Sequence, residues 1–337
     1  MNKHFDFMDL QLFAAQVSTQ DSLSAEMKTF YDMTLIDEAG ANLIHDQFGQ
    51  KRPIPRGGGK TISFRKFSPL EKATTPLTEG VTPAGNSLNV STVNATVSQY
   101  GDYIVQSDVL ELTALDNTIL ESAKLLGRQA GQTLDTVVRN ALQTGTNVSF
   151  CPKQTAQGEV EVTSREQLDE TAVLTVDAVQ QAVTKLRAQN APTIRGKYVA
   201  IIHPYVAYDL MRDPEWIDAH KYADPDALFE GELGELAGVR FVQSTEAKIY
   251  RDETCPQGLA VFTTLFLGEG AYGVTDVQGG GLEMIVKQKG SSGTADPLDQ
   301  RSSVGWKALK TAQILVENYL VRVESCSKRY SATAVAN

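Results

Sequence analysis

The sequence predicts an α+β fold, and three observations predict it. One stretch carries an uninterrupted helical period, two strand-like runs flank a Pro-, Thr- and Gly-rich segment, and residues 171–290 mix short helical and short apolar runs. Residues 1–20 show little period of either kind and read as an arm. Asp6 and Asp9 interrupt what would be the apolar core of a signal peptide, so that reading is rejected. Over 24–48, Met27, Tyr31, Leu35, Ala39 and Leu43 recur at every fourth residue, which predicts one helix or two short ones. Gly49 ends the pattern, and Pro53 and Pro55 forbid its immediate resumption.

Residues 50–100 differ in kind. Thr61–Phe67 alternates through Ile62 and Phe64, and 88–100 alternates through Leu88, Val90, Val93, Val97 and Tyr100. Between them lies SPLEKATTPLTEGVTPAGNS. Two strands closed by a long tip make an extended hairpin. An ordered loop of that length is usually functional or packed on a partner. Its Thr and Val favour extended backbone, but it holds too few apolar residues to fold alone. A neighbouring molecule is expected to complete it.

The clearest helix follows. Ile119, Ala123, Leu126, Ala130, Leu134, Val137 and Ala141 share one face, Thr118 and Glu121 form a T-x-x-E capping box, and Gly145 supplies a stop. Gly127 and Gly131 cost about 1 kcal/mol each relative to Ala, so their common face is expected to meet another backbone closely. Residues 146–170 form a polar insertion with a strand at 160–163. Then come a helix (177–189), a strand (197–202), a helix (204–212), and strands at Val239–Gln243, 259–267 and Leu282–Lys287. The run 312–324, rich in Ile, Leu, Val and Tyr, predicts one long strand returning beside the long helix.

Charge is distributed unevenly. The 337 residues carry 31 Lys and Arg against 41 Asp and Glu, a net charge of −10. Yet Lys51, Arg52, Arg56, Lys60, Arg65 and Lys66 fall together, with no acid before Glu71. Setting these six aside leaves 25 basic residues against 41 acidic ones, a charge of −16. Acids gather at Asp213, Glu215, Asp218, Asp224, Asp226, Glu230, Glu232 and Glu235, against Lys221 alone. An acidic chain with one basic segment suits self-complementary association. It does not suit a nucleic-acid binder that works through its overall field. No stretch approaches the roughly 18 apolar residues of a membrane helix. Cys151, Cys255 and Cys326 are too scattered for a disulfide framework or a zinc site, which points to a reducing place of synthesis.

Motifs that resemble chemistry fail on context. RGGGKTIS at 56–63 lacks the first glycine of a phosphate-binding loop, since position 54 is Ile54, and an alternating strand pattern follows where a helix is needed. GEGAYG at 268–273 satisfies G-x-G-x-x-G, but VTDVQGGG cannot open a helix and Glu283 is too near to serve a ribose. A tight turn between strands is expected there. His4, His45, His203 and His220 lack metal-ligand spacing. No G-x-S-x-G or H-E-x-x-H occurs, and the acidic stretch lacks the spacing of a calcium loop. No catalytic residue, cofactor or metal ligand is assigned, and a structural role is favoured over an enzyme.

The order of arm, long hairpin, long helix, α+β lobe and C-terminal strand resembles the major capsid proteins of tailed bacteriophages. In detail it is similar to the family typified by the coliphage N-four capsid protein. The likeness is carried by LQLFA (10–14), DEAGANLIHDQFGQKRPIPRGGGKTISFRKFSPL (37–70) and DPLDQRSSVGWKA (296–308). The resemblance implies an HK-ninety-seven-like fold: an N-terminal arm and helix (1–49), an extended loop across a neighbouring subunit (50–100), a peripheral domain with its spine helix at 116–143 (101–170), an axial domain (171–290) and a C-terminal return to the peripheral domain (291–337). It implies hexamers and pentamers in an icosahedral virion shell around double-stranded DNA, with portal, scaffold and decoration proteins as partners, no membrane and no sequence-specific DNA contact. Assembly would take place in the host bacterial cytoplasm. Arg52, Arg56, Lys60, Arg65 and Lys66 are the candidate inter-subunit contacts, facing acidic surface on the next copy. A nanocompartment shell of the same fold and, from another class, a cytosolic nucleotide-binding enzyme remain the alternatives.

Overall fold

The computed structural model describes residues 33–337 apart from 34, 37, 41, 54–59, 68, 69, 71, 78, 83, 84, 114–117, 157, 224–233, 276–281 and 292–295. The arm at 1–20, the start of the 24–48 helix and Arg56 lie outside the described residues. Backbone at Met33, Leu35, Ile36, Glu38, Ala39, Gly40 and Asn42 is helical, and Gly49 ends the segment in a bend.

Among the described residues, seventeen strands and five α-helices follow. The first four strands are β1 (Gln50–Arg52), β2 (Thr61–Phe67), β3 (Val90–Thr96) and β4 (Ser98–Ser107). Helix α1 (Asp108–Thr113) leads to the long helix α2 (Thr118–Leu142), and β5 (Val148–Phe150), β6 (Lys153–Thr155) and β7 (Gly158–Val160) come next. The lobe contains α3 (Val176–Ala188), β8 (Tyr198–Ile202), α4 (Pro204–Met211), α5 (Pro214–Ala223), β9 (Glu235–Leu236), β10 (Val239–Gln243), β11 (Ile249–Tyr250), β12 (Val261–Leu267), β13 (Tyr272–Thr275) and β14 (Leu282–Lys287). The chain ends with β15 (Arg301–Lys310), β16 (Ala312–Ile314) and β17 (Leu320–Ser325).

A seven-stranded sheet, in the order β5-β17-β12-β8-β10-β9 with β11 beside β12, forms the lobe's centre. Its middle strands are buried on both faces and so read as continuous apolar runs, YVAII and VFTTLFL. Val179, Val183 and Leu186 of α3 and Val206 and Leu210 of α4 pack with Ala200, Ile202, Phe262 and Phe266. Ile201, Leu265 and Leu267 join Val138 and Leu142 of α2 in a second core. At its other end α2 packs Ala123, Leu126, Ala130 and Leu134 against the sheet β14-β15-β4 through Met284, Val304 and Trp306. With 25 residues, about 37 Å long at 1.5 Å per residue, α2 therefore ties two cores together.

The glycine expectation holds in detail. A Cβ at Gly131 would lie 2.6 Å from the Ala39 carbonyl oxygen, and one at Gly127 would lie 3.2 Å from that of Leu35. The helical segment ending at Asn42 crosses α2 at this notch.

Several expectations are corrected. The 88–100 run is not one strand: β3 pairs with β2, while β4 leaves after Val97 to pair along its whole length with β15. The 312–324 run splits, because a 3-10 turn at Glu317–Tyr319 sends β16 to pair with β13 and β17 into the seven-stranded sheet. Part of the run does return beside α2 as expected, since Ala312, Ile314 and Leu320 pack with Val138 and Leu142. The unforeseen neighbour of α2 is β15, whose RSSVGWKALK hides its pattern because only Val304, Trp306 and Ala308 face the core around Leu126 and Leu134. Thr118 is already helical and does not cap. Its hydroxyl donates to Gln106 Oε1 (3.1 Å), and its carbonyl accepts from Gln106 Nε2 (3.1 Å). The strand expected at 160–163 lies earlier, at β7, pairing with β6. Along α2 the apolar stripe also moves from Val137 and Ala141 to Val138 and Leu142, since the helix turns its face from one core to the next.

Candidate assembly surface

The basic segment begins on a buried polar hub. The His45 backbone N–H donates to Asp135 Oδ1 and its Nδ1 bonds Asp135 Oδ2, both at 2.7 Å. The Tyr272 hydroxyl donates to the His45 carbonyl. Lys310 Nζ bonds Asp46 and donates to the Thr275 carbonyl at 2.9 Å. Burial pushes the Lys310 ammonium below its ordinary pKa, with Asp46 opposing. Burial likewise holds the Tyr272 phenol well above its own. These bonds hold residues 45–46 against α2, β13 and β15, so the parallel pairing of Gln50, Lys51 and Arg52 with Gly273, Val274 and Thr275 follows in register.

The hairpin is pinned next to it. Alternation along β2 turns Ile62 and Phe64 inward, with Phe64 fully buried, and leaves Thr61, Ser63 and Arg65 outward. A Cβ at Gly273 would strike the Phe64 ring. The third glycine of GEGAYG thus seats an aromatic ring of the hairpin, and the motif forms the expected turn between β12 and β13, with Gly270 at φ +72°. A small core of Ile62, Phe64, Ala95, Val97 and Leu315 joins the hairpin base to the lobe.

Three of the five candidate residues converge. Arg52, Arg65 and Lys66 line a cleft of about 760 Å³ between the hairpin base and the lobe. Arg195 and Glu269 also line it, beside the apolar Phe48, Leu315 and Val316. Arg195 and Gly196 occupy a two-residue turn at φ +52° and +87°, closed by the Ile194 N–H bond to the Lys197 carbonyl (2.8 Å). That geometry is of the primed hairpin type, which holds Arg195 out towards solvent. Among the described residues, none of these four cations has an ion-pair partner within 4 Å. Lys60 is exposed at the head of β2 and lies outside the cleft, whereas Lys51 pairs with Asp46 at 3.8 Å. Sequence reasoning missed Arg195 and Glu269, although an X-Gly pair between apolar runs signals the turn that presents the arginine.

The remaining polar groups serve the fold. His203 caps α4, its Nδ1 accepting from the Tyr205 N–H (3.1 Å), and burial pushes its pKa down to about 4. Arg165 makes a two-pronged bond to Glu324 (2.6 and 2.7 Å) and stacks 3.7 Å above the Tyr250 ring, fastening the 146–170 insertion to β17. Among the described residues no three His, Cys, Asp or Glu side chains gather as a metal site, and no helix is long and apolar enough to cross a membrane.

A family model described as phage capsid protein matches residues 11–289. No curated protein matches the chain. The capsid of Ralstonia phage GP4 is similar at a TM-score of 0.62 and 15% identity, over 85% of this chain and 89% of that one. The capsid of cyanophage P-SCSP1u gives 0.61 at 16% identity, over 83% and 87%. A virus-like particle from Pyrococcus furiosus gives 0.51 at 9% identity, over 88% and 99%. At such identities the structural likeness speaks for the fold, which is HK-ninety-seven-like. The matched span takes in the hairpin, the long helix and nearly all of the lobe, so the chain belongs to the phage capsid protein family and is a capsid protein.

Proposed function

We propose that the chain is a non-catalytic building block that closes into hexamers and pentamers of an icosahedral shell around double-stranded DNA. The observation that carries this reading is the unfinished hairpin. Its base is packed on the lobe, but Leu70, Leu77, Val81 and Leu88 beyond it are 60–78% exposed. Exposed apolar groups on an extended segment suit a surface that a neighbour covers. On this reading 50–100 lies across the next subunit, α2 serves as the spine of the peripheral domain, and 171–290 forms the axial domain. Portal, scaffold and decoration proteins are the expected partners, with assembly in the host cytoplasm.

Arg52, Arg56, Lys60, Arg65 and Lys66 are the proposed contacts to acidic surface on the adjacent copy. Each exposed pair contributes about 0–1 kcal/mol, so cohesion comes from repetition and geometry. Replacing Lys60→Glu with Arg65→Glu should lower assembly while leaving the subunit folded, read by sedimentation and circular dichroism. Normal shells from that variant contradict the assignment. An acidic inner wall should hold DNA loosely, so tight, salt-sensitive DNA binding by the isolated subunit also counts against the reading. The likeness to the Pyrococcus particle favours one second reading, a nanocompartment shell, which would co-purify with an enzyme cargo instead of DNA.

A further inference from the structure

We infer that the cleft bounded by Arg52, Arg65, Lys66 and Arg195 is the socket for the acidic segment 213–235 of a second copy of this chain. The inference rests on the shell reading and names the partner of that surface. The four cations come from three separate parts of the chain, the end of β1, the outer half of β2 and the turn before β8. None has an ion-pair partner among the described residues. Cations gathered in a concave site, with low-dielectric walls on either side, focus a positive potential that favours an anionic guest.

Chemistry decides between the two anionic guests a shell offers. A phosphodiester backbone would meet the exposed Glu269 carboxylate and the apolar Phe48, Leu315 and Val316, none of which suits it. An acidic peptide with interleaved apolar residues suits both features. The run ADPDALFEGELGE at 223–235 has that composition, with Leu228 and Phe229 between Asp226 and Glu230. At the segment's ends some acids are already engaged: Asp213 accepts the Val176 and Glu215 N–H groups, and Glu235 pairs with Lys197. Glu215 is exposed, and Asp224, Asp226, Glu230 and Glu232 fall outside the described residues. A socket on one copy filled by the acidic segment of the next generates a head-to-tail contact, which closes into a ring where the rotation between copies allows it.

A charge swap in the full-length chain tests this. Arg65→Glu with Arg195→Glu should lower the fraction of subunits in particles by about tenfold or more at moderate salt. Asp226→Lys with Glu230→Lys and Glu232→Lys should do the same, and combining both sets should restore assembly. If the acidic replacements disturb folding by circular dichroism, Arg65→Gln with Arg195→Gln serves with the same expectations for loss. A cysteine pair, Arg195→Cys with Glu230→Cys, should give disulfide-linked multimers in particles, because Cys151, Cys255 and Cys326 are all buried. Loss without rescue, or a cross-link confined to single chains, overturns the second-copy occupant. Normal assembly of the Arg65 and Arg195 variant overturns the socket, and if that variant also fails to retain DNA the cleft belongs to nucleic acid. Absence of particles from the unmodified chain overturns the shell reading itself, a result distinct from all of these.

Discussion

Gly273 sits where the hairpin meets the lobe, and the absence of its side chain makes room for the Phe64 ring. Gly273→Ala should therefore destabilise the subunit by about 1–3 kcal/mol, the usual cost of overfilling a packed site. Phe64→Leu should recover part of that loss, and a double-mutant cycle by thermal unfolding measures the coupling. His203 supplies a second residue-scale prediction. Burial takes its pKa from 6.5 to about 4, so the unfolded chain binds the proton that the folded ring refuses. Its contribution is complete above pH 6.5 and is lost as pH falls through about 4. His203→Asn keeps a capping side chain and removes the titration, so its stability should fall less steeply over that window than the parent's. Neither role was legible beforehand. A glycine pattern and a lone histidine have many uses, and only the ring across from Gly273 and the apolar packing around His203 select one.

The long helix was legible because one of its faces is buried from end to end and its glycines violate helix propensity for a reason a sequence can suggest. Gly131→Val should break the crossing with the 33–42 segment, since the new Cβ would sit 2.6 Å from a backbone oxygen that cannot move aside. A loss of about 1–3 kcal/mol or more is expected, against a smaller effect at Gly127, where the approach is looser and the gain in helix propensity offsets part of it. The last strands were not legible. An apolar run shows that backbone is buried but not which sheet receives it, and Leu315 and Val316 both turn their N–H groups to the Ala271 carbonyl where the run divides. The 146–170 insertion was equally opaque, because what holds it lies far away in sequence: β5 pairs with β17, and Arg165 bonds Glu324, 159 residues on. Arg165→Ala leaves Glu324 buried beside Arg322 alone and should cost on the order of 3 kcal/mol, measured by urea unfolding.

At the scale of the molecule, a charge of −10 becomes intelligible once its parts are placed. Six cations within seventeen residues looked like one patch in the sequence. In the structure Lys51 turns back to Asp46, Lys60 stands apart, and Arg52, Arg65 and Lys66 join Arg195 around one cleft. Segregation was visible in the sequence; the cleft was not, because Arg195 comes from a turn well over a hundred residues away. The protein therefore pairs a frame of two cores tied by α2 with exposed apolar residues on the hairpin and a cation-lined cleft, which the shell reading assigns to contacts between copies. Electron microscopy of the purified full-length protein tests that claim most directly. Closed shells with five- and six-fold positions, each hairpin lying on the adjacent subunit, are the predicted result. A homogeneous population of monomers or small soluble oligomers, under conditions where the subunit is folded, would contradict it.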